Sequence, residues 1–281
     1  MEENRYNEFK KQGIPLEEID FIRKIDMLAK NRPCRFRINN ENRIFDLSLN
    51  SCGITKIPRE IELLRDLEII FIHEPEIESF PESIGDLRKL RDLSITKSSI
   101  KKLPENLAYL PNLKSLSLVN AKLKNFPIHI CAISSLKGLQ LSNNQISSIP
   151  ECIGNLRNLE TLFLEDNDLA ELPNTFCQLD KLDRLSIENN KLKSLPECIG
   201  KIKDLGELFL GGNKLEKLPE SIGNIKYLFS LRLNNNLFKE VPEVLNKIRL
   251  SNLDLRDNKI EKYPKTIGAL NLKLKKNGFY D

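Results

Sequence analysis

Two histidines, His73 and His129, are the only imidazoles among 281 residues. A Ser-His-Asp triad or a multi-histidine metal site therefore lacks its raw material. His129 stands two residues after Pro127 and reads as surface filler, whereas His73, beside Glu74, reads as a binding contact. Acidic residues are plentiful, but they recur at fixed spacing. That is the pattern of a solvated repeat face, not of groups whose surroundings shift their pKa values for catalysis. The stretch from Gly206 to Lys214 is glycine-rich, yet its lysine comes too late for a phosphate loop and no Ser or Thr follows it. The expectation is a chain with no catalytic residue, no cofactor and no metal ion.

The six cysteines, Cys34, Cys52, Cys131, Cys152, Cys177 and Cys198, match neither zinc-site spacing nor a Cys-x-x-Cys motif. Cys131 and Cys177 fall four residues after a proline, and Cys152 and Cys198 fall two after the next one. A disulfide in each of these pairs is conceivable where the Cα atoms lie within about 7 Å. Free buried thiols are the expectation for a chain read as cytoplasmic.

What remains is recognition chemistry. Phe71, Phe163 and Phe209, with His73, the acids Glu165, Asp166, Glu188 and Glu207, and the bases Arg184 and Arg232, form the candidate partner-binding set. Exposed aromatic rings are the anchors that dominate protein interfaces. An acidic cluster crossed by Arg184 and closed by Arg232 and Arg256 suits a basic peptide or basic protein surface.

These residues share a spacing, and the spacing exposes the elements that must carry them. Pro58, Pro81, Pro104, Pro127, Pro150, Pro173, Pro196, Pro219 and Pro242 are each 23 residues apart, and Pro264 follows after 22. Ahead of each runs L-x-x-L-x-L-x-x-N-x-L-x-x-L-P, as in Leu159, Leu162, Leu164, Asn167, Leu169, Leu172 and Pro173. Two leucines of L-x-L share one face of a short strand, and the residue between them faces the other way. Each repeat must bury its leucines against its neighbours, so the strands stack in parallel. The outward series runs Ser48, Phe71, Ser94, Ser117, Gln140, Phe163, Ser186, Phe209, Arg232, Asp254, Lys273. Phe163 and Phe209 are therefore expected to stand exposed and about 10 Å apart, two strand spacings. Apolar residues after each proline, such as Ile153 and Leu156 around Gly154, close the opposite side.

Asparagine marks the turn after the strand at Asn144, Asn167, Asn190, Asn213, Asn236, Asn258 and Asn277, where a buried amide can satisfy backbone groups. Cys52, Pro75, Ser98 and Ala121 stand there in four earlier repeats. The amino-terminal half is expected to be less regular, above all around Pro75, which has no backbone donor.

Over roughly 44 to 279 these residues resemble the leucine-rich-repeat family, and the L-P-x-x-I-G-x-L phrase is similar to its Ras-suppressor-like and Leptospira-type classes. The resemblance implies an α/β fold: a leucine-rich-repeat solenoid, or horseshoe, with a concave parallel β-sheet and short helical or irregular convex segments. It also implies an interaction scaffold, and the Ras-related members would add a small GTPase as a partner.

The repeat array is expected over 44–281, about ten full repeats and a partial one from Leu272 to Asn277, behind an amino-terminal cap over 1–43. In the cap, Pro15, Glu17 and Glu18 suit a helix start. Ile19, Ile22, Ile25 and Leu28 then recur at helical spacing, up to Asn31 and Pro33. Such a helix covers the first repeat or binds a partner. Arg35 to Ile38 and Arg43 to Leu47 read as a hairpin leading into the repeats. Lys273, Lys275 and Lys276 are expected to stop the last strand edge from pairing with another chain.

Composition narrows the classes further. Basic residues number 44 against 40 acidic, a net charge of +4 with the signs mixed, which gives no nucleic-acid signature. No apolar run approaches the about 18 residues a membrane span needs. The expectation is a cytoplasmic monomer, a non-enzymatic scaffold binding a protein or peptide on its concave face. The alternative is the recognition subunit of a larger enzyme or effector complex.

Overall fold

Proline and leucine between them write the local structure of each repeat. In the computed structural model, which describes residues 2–100 and 102–261, Pro150, Pro173 and Pro219 each sit in extended backbone just ahead of a 3-10 turn. The ring fixes φ where such a turn can begin. The proline carbonyl then accepts the N–H three residues on: Ile153 to Pro150 at 3.1 Å, Phe176 to Pro173 at 3.0 Å, Ile222 to Pro219 at 3.1 Å. The apolar residues Ile153, Phe176 and Ile222 turn inward and are fully buried. Pro264, the partial repeat from Leu272 to Asn277, and the edge lysines Lys273, Lys275 and Lys276 lie outside the described residues.

The chain divides into two compact units, Met1–Leu123 with His129–Leu136, and Lys124–Ile128 with Lys137–Asp281. The first unit opens with helices α1 (Glu2–Lys11) and α2 (Leu16–Leu28). The sequence marked only the second. Ile19, Ile22 and Ile25 bury its inner face together with Phe21 and Glu18. A buried carboxylate needs partners, and Glu18 accepts the Ile44 N–H at 2.8 Å while Arg43 Nε lies 2.7 Å away. Burial still pushes the Glu18 carboxyl above its ordinary value, against the Ile44 hydrogen bond and the Arg43 charge.

Strand β1 (Arg35–Ile38) pairs antiparallel with β2 (Ile44–Asn50), the expected hairpin, with an irregularity between Arg37 and Ile38. From β2 onward the pairing is parallel through β3 (Ile69–His73), β4 (Asp92–Thr96) and β5 (Ser115–Val119). The second unit carries the shorter parallel strands β6 (Gly138–Gln140), β7 (Thr161–Phe163), β8 (Arg184–Ser186), β9 (Glu207–Phe209), β10 (Ser230–Arg232) and β11 (Asn252–Asp254). Their inward leucines, Leu139, Leu162, Leu185, Leu208 and Leu231, are completely buried.

The turns differ more than the strands. In the second unit each asparagine amide ties one repeat to the next. Asn190 Oδ1 accepts the Leu169 N–H at 2.9 Å, and its Nδ2 donates to the carbonyls of Leu164 at 2.9 Å and Ile187 at 3.3 Å. Asn167, Asn213 and Asn236 repeat that pattern. In the first unit the irregularity expected around Pro75 stays in the turn, and β3 beside it keeps an unbroken five-residue register with β4. The preceding residue, Glu74, compensates: it is 1% exposed and accepts the N–H groups of Cys52 and Gly53. Ser98, in the next such slot, is buried with its hydroxyl unpartnered among the described residues.

The expectation of free thiols fails for four of the six cysteines, since Cys131 and Cys152 are disulfide-bonded as well as Cys177 and Cys198. Cys177 and Cys198 form a disulfide, with Cα atoms 5.8 Å apart, because adjacent repeats bring the two 3-10 segments side by side. Cys34 and Cys52 are free and buried, and burial pushes both thiols above their ordinary value. No helix among the described residues is long and apolar enough to cross a membrane.

Candidate functional site

Strand alternation sorts the candidate residues into rows on the open strand face of each unit, and the observed register matches the spacing of the repeat. In the second unit the middle row runs Gln140, Phe163, Ser186, Phe209, Arg232, Asp254. One residue earlier and later on the same strands, the two leucines point the other way into the core. In the first unit the corresponding row is Ser48, Phe71, Ser94, Ser117.

Phe71 and His73 belong to the first unit, and the remaining eight candidates belong to the second. Phe71 is 43% exposed, and His73 Nδ1 lies 3.0 Å from Thr96 Oγ1, across one strand spacing. Phe163 and Phe209, expected to stand exposed, are half-buried instead. The neighbouring row members explain part of this: the Arg232 guanidinium lies over the Phe209 ring at 4.4 Å from its centroid. Such a cation stacked on a ring covers it and is attracted by it. Between the two phenylalanines Ser186 is 1% exposed, and its Oγ has no hydrogen-bond partner among the described residues.

The acids do not form one cluster. Glu207 begins β9 in the first row, where Arg184 pairs with it at 2.5 Å. Glu165 and Glu188 lie in the row beyond the phenylalanines. Ser142 donates to Glu165, and Arg232 Nη1 stands 3.8 Å from Glu188, beyond hydrogen-bond reach. Asp166, one residue further, accepts from Asn189 Nδ2 at 2.9 Å. Arg256 is turned back onto Asp254 at 2.7 Å and does not close the acidic patch. Among the described residues, no cation comes within hydrogen-bond reach of Glu165, Asp166 or Glu188, and Arg232 pairs with Glu188 only at 3.8 Å. Burial holds the Glu188 carboxyl above its usual range, Arg232 opposes this, and the charges of Glu165 and Asp166 add to it.

Phe229 escaped the sequence reading. It is 45% exposed and leans over Gly206, where an added Cβ would meet its ring at 2.8 Å and Asp183 Oδ1 at 2.9 Å. Glycine there makes room for both. The available signal was positional: the same place in other repeats holds Lys137, Glu160, Asp183 and Ser251, so a phenylalanine stands out.

Comparisons with known proteins bear on the fold. A family profile described as "Leucine-rich repeat region" matches residues 120–211, and no curated protein matches the chain. Among solved structures, a plant peptide hormone receptor, RGFR1, in complex with RGF2, aligns with a TM-score of 0.67 at 26% identity, over 76% of this chain and 36% of the receptor. The Arabidopsis receptor kinase HAESA, in complex with the peptide hormone IDA and the co-receptor SERK1, gives 0.66 at 20% identity, over 87% and 50%. An internalin from Listeria monocytogenes gives 0.62 at 20% identity, over 77% and 72%. The chain spans about a third of the length of the first receptor.

Proposed function

We propose that this chain, which has a leucine-rich-repeat profile over residues 120–211 and the fold of leucine-rich-repeat structures, is a non-enzymatic scaffold holding a protein or peptide on the open sheet face of its second unit. The observation that carries the reading is the row Phe163, Ser186, Phe209, Arg232 bordered by Glu165, Asp166 and Glu188. Two aromatic anchors beside acids that no cation among the described residues reaches within hydrogen-bond distance make a surface for a partner with basic groups. The plant receptor of similar fold is in complex with RGF2, which supports peptide binding as a use of this architecture. Phe71 and His73 are proposed as a smaller contact on the first unit's face, and Arg184 and Glu207 as a paired border. A cytoplasmic location belongs to this reading only where Cys131, Cys152, Cys177 and Cys198 are kept reduced, since bridged cysteines go with oxidising surroundings.

The test begins with a partner recovered by pull-down and mass spectrometry from the native cell. Phe163→Ala combined with Phe209→Ala is expected to weaken its binding at least about tenfold, since hot-spot aromatics are worth about 2 kcal/mol or more each. Charge reversal at Glu165 and Glu188 acts on association rate and salt dependence. Substitutions at Lys201 and Lys226, both exposed and off the strands, serve as the control. Binding that is lost with the lysines and kept without the phenylalanines would place the partner elsewhere.

A further inference from the structure

One polar group on the second unit's face is left unsatisfied among the described residues. Ser186 Oγ is buried without a partner among the described residues, and the strand register sets it between Phe163 and Phe209 on the open face. A buried hydroxyl without a hydrogen bond costs free energy, and a group arriving with a partner would relieve it.

The neighbours define that group. Each phenylalanine stands one strand spacing from Ser186, about 4.8 Å, so the space above the serine is flanked by rings and suits something flat. Ring faces attract cations. Glu165 and Glu188, in the adjoining row, supply the negative charge, and neither has a cation within hydrogen-bond reach among the described residues. The protein already shows the matching chemistry once: the Arg232 guanidinium lies over the Phe209 ring and 3.8 Å from Glu188 Oε2. A guanidinium is planar, weakly hydrated and able to pair and stack at the same time, whereas a lysine ammonium is compact and strongly hydrated.

We propose that this face carries a site for a partner's arginine: the guanidinium stacks over Ser186 between Phe163 and Phe209, donates to Ser186 Oγ, and pairs with Glu165 and Glu188. Arg232 is its internal competitor, holding the Phe209 ring and standing near Glu188 until the incoming arginine arrives. The assignment rests on the binding face proposed above and narrows the partner to one that presents an arginine.

The probes are tetra-arginine amide, tetra-lysine amide and tetra-citrulline amide, titrated into the full chain and followed by calorimetry and by NMR of labelled phenylalanine rings. Tetra-arginine is expected to bind and to shift the Phe163 and Phe209 resonances. Citrulline, which keeps the shape without the charge, leaves them unmoved, and lysine binds at least about fivefold more weakly. Ser186→Ala weakens the arginine peptide severalfold, and Arg232→Ala tightens it severalfold, with thermal melts checking that both variants stay folded. Equal affinity for the arginine and lysine peptides would reduce the site to plain acidity and overturn the proposal, as would weaker binding by Arg232→Ala. If the double phenylalanine variant loses a recovered partner while tetra-arginine neither binds nor competes, the binding face stands and the arginine site falls. If tetra-arginine behaves as expected while that variant keeps the partner, the arginine site stands and the partner's location falls.

Discussion

The two units bury the same kind of leucine core and satisfy their turns in different ways. In the second, the amides of Asn167, Asn190, Asn213 and Asn236 each accept one N–H and donate to carbonyls of their own and the preceding repeat. In the first, Glu74 reaches back to two N–H groups, and Ser98 pairs with nothing among the described residues. Strand pairing is nonetheless longer in the first unit, five residues in β3, β4 and β5 against three in the second unit's strands. The contrast separates two requirements that a repeat usually meets together. The hydrophobic stripe makes the strands, and the buried amide makes one turn interchangeable with the next.

Substitutions in matching places sharpen or break that division. The largest effect falls on what the units share: Leu164→Ala in the second and Leu118→Ala in the first are each expected to cost about 2–5 kcal/mol in denaturant unfolding, both side chains being fully buried. A cost under about 0.5 kcal/mol, the range of surface changes, would mean the core is not common to both. Asn190→Ala comes next, at about 2–3 kcal/mol, because it strands a buried donor and buried carbonyls, while Ser98→Ala removes a hydroxyl with no hydrogen bond among the described residues and should change stability by under about 0.5 kcal/mol. Equal losses at the two sites would erase the contrast.

The smallest effect is a pH dependence. Glu188 has a folded-state pKa above its unfolded one, so its contribution favours folding below the unfolded value and is lost as pH rises through the folded value. Glu188→Gln should therefore raise stability near neutral pH, by under about 1 kcal/mol for a partly exposed group. That gain should vanish in thermal melts below about pH 4, where the glutamate is protonated in both states.

The 23-residue step carries much of this architecture, because side chains on a strand alternate with no freedom to drift. Once the leucines of L-x-L are placed, Phe163, Ser186, Phe209 and Arg232 must share the opposite face, and they do. Depth on that face is another matter. Whether Phe209 lies bare or covered depends on where the long, flexible Arg232 side chain settles, and no spacing rule encodes a rotamer. The same holds for the acids, which look like one group along the chain and divide into rows once Arg184 chooses Glu207 and Arg256 chooses Asp254. The Glu74 substitution for the amide was hidden because a glutamate ahead of a proline has no place in the repeat pattern. Helix α1 carries no start signal of the kind that Pro15 gives α2.

The turn after each strand of the second unit passes through a left-handed residue: Asn143 at φ 58°, Asp166 at 54°, Asn189 at 55°, Gly212 at 69°, Asn235 at 53° and Asp257 at 59°. Asparagine and aspartate adopt that conformation more readily than other side chains, and glycine adopts it without cost, although Ser51 at φ 56° and Lys97 at φ 48° take it at the same place in the first unit. In the second unit the border of the face is written with three residue types. Exchanging asparagine for aspartate there resets the local charge between neutral and negative without changing the left-handed turn. The charge along this edge can accordingly be retuned one repeat at a time, with the core that holds the repeats together left out of the exchange.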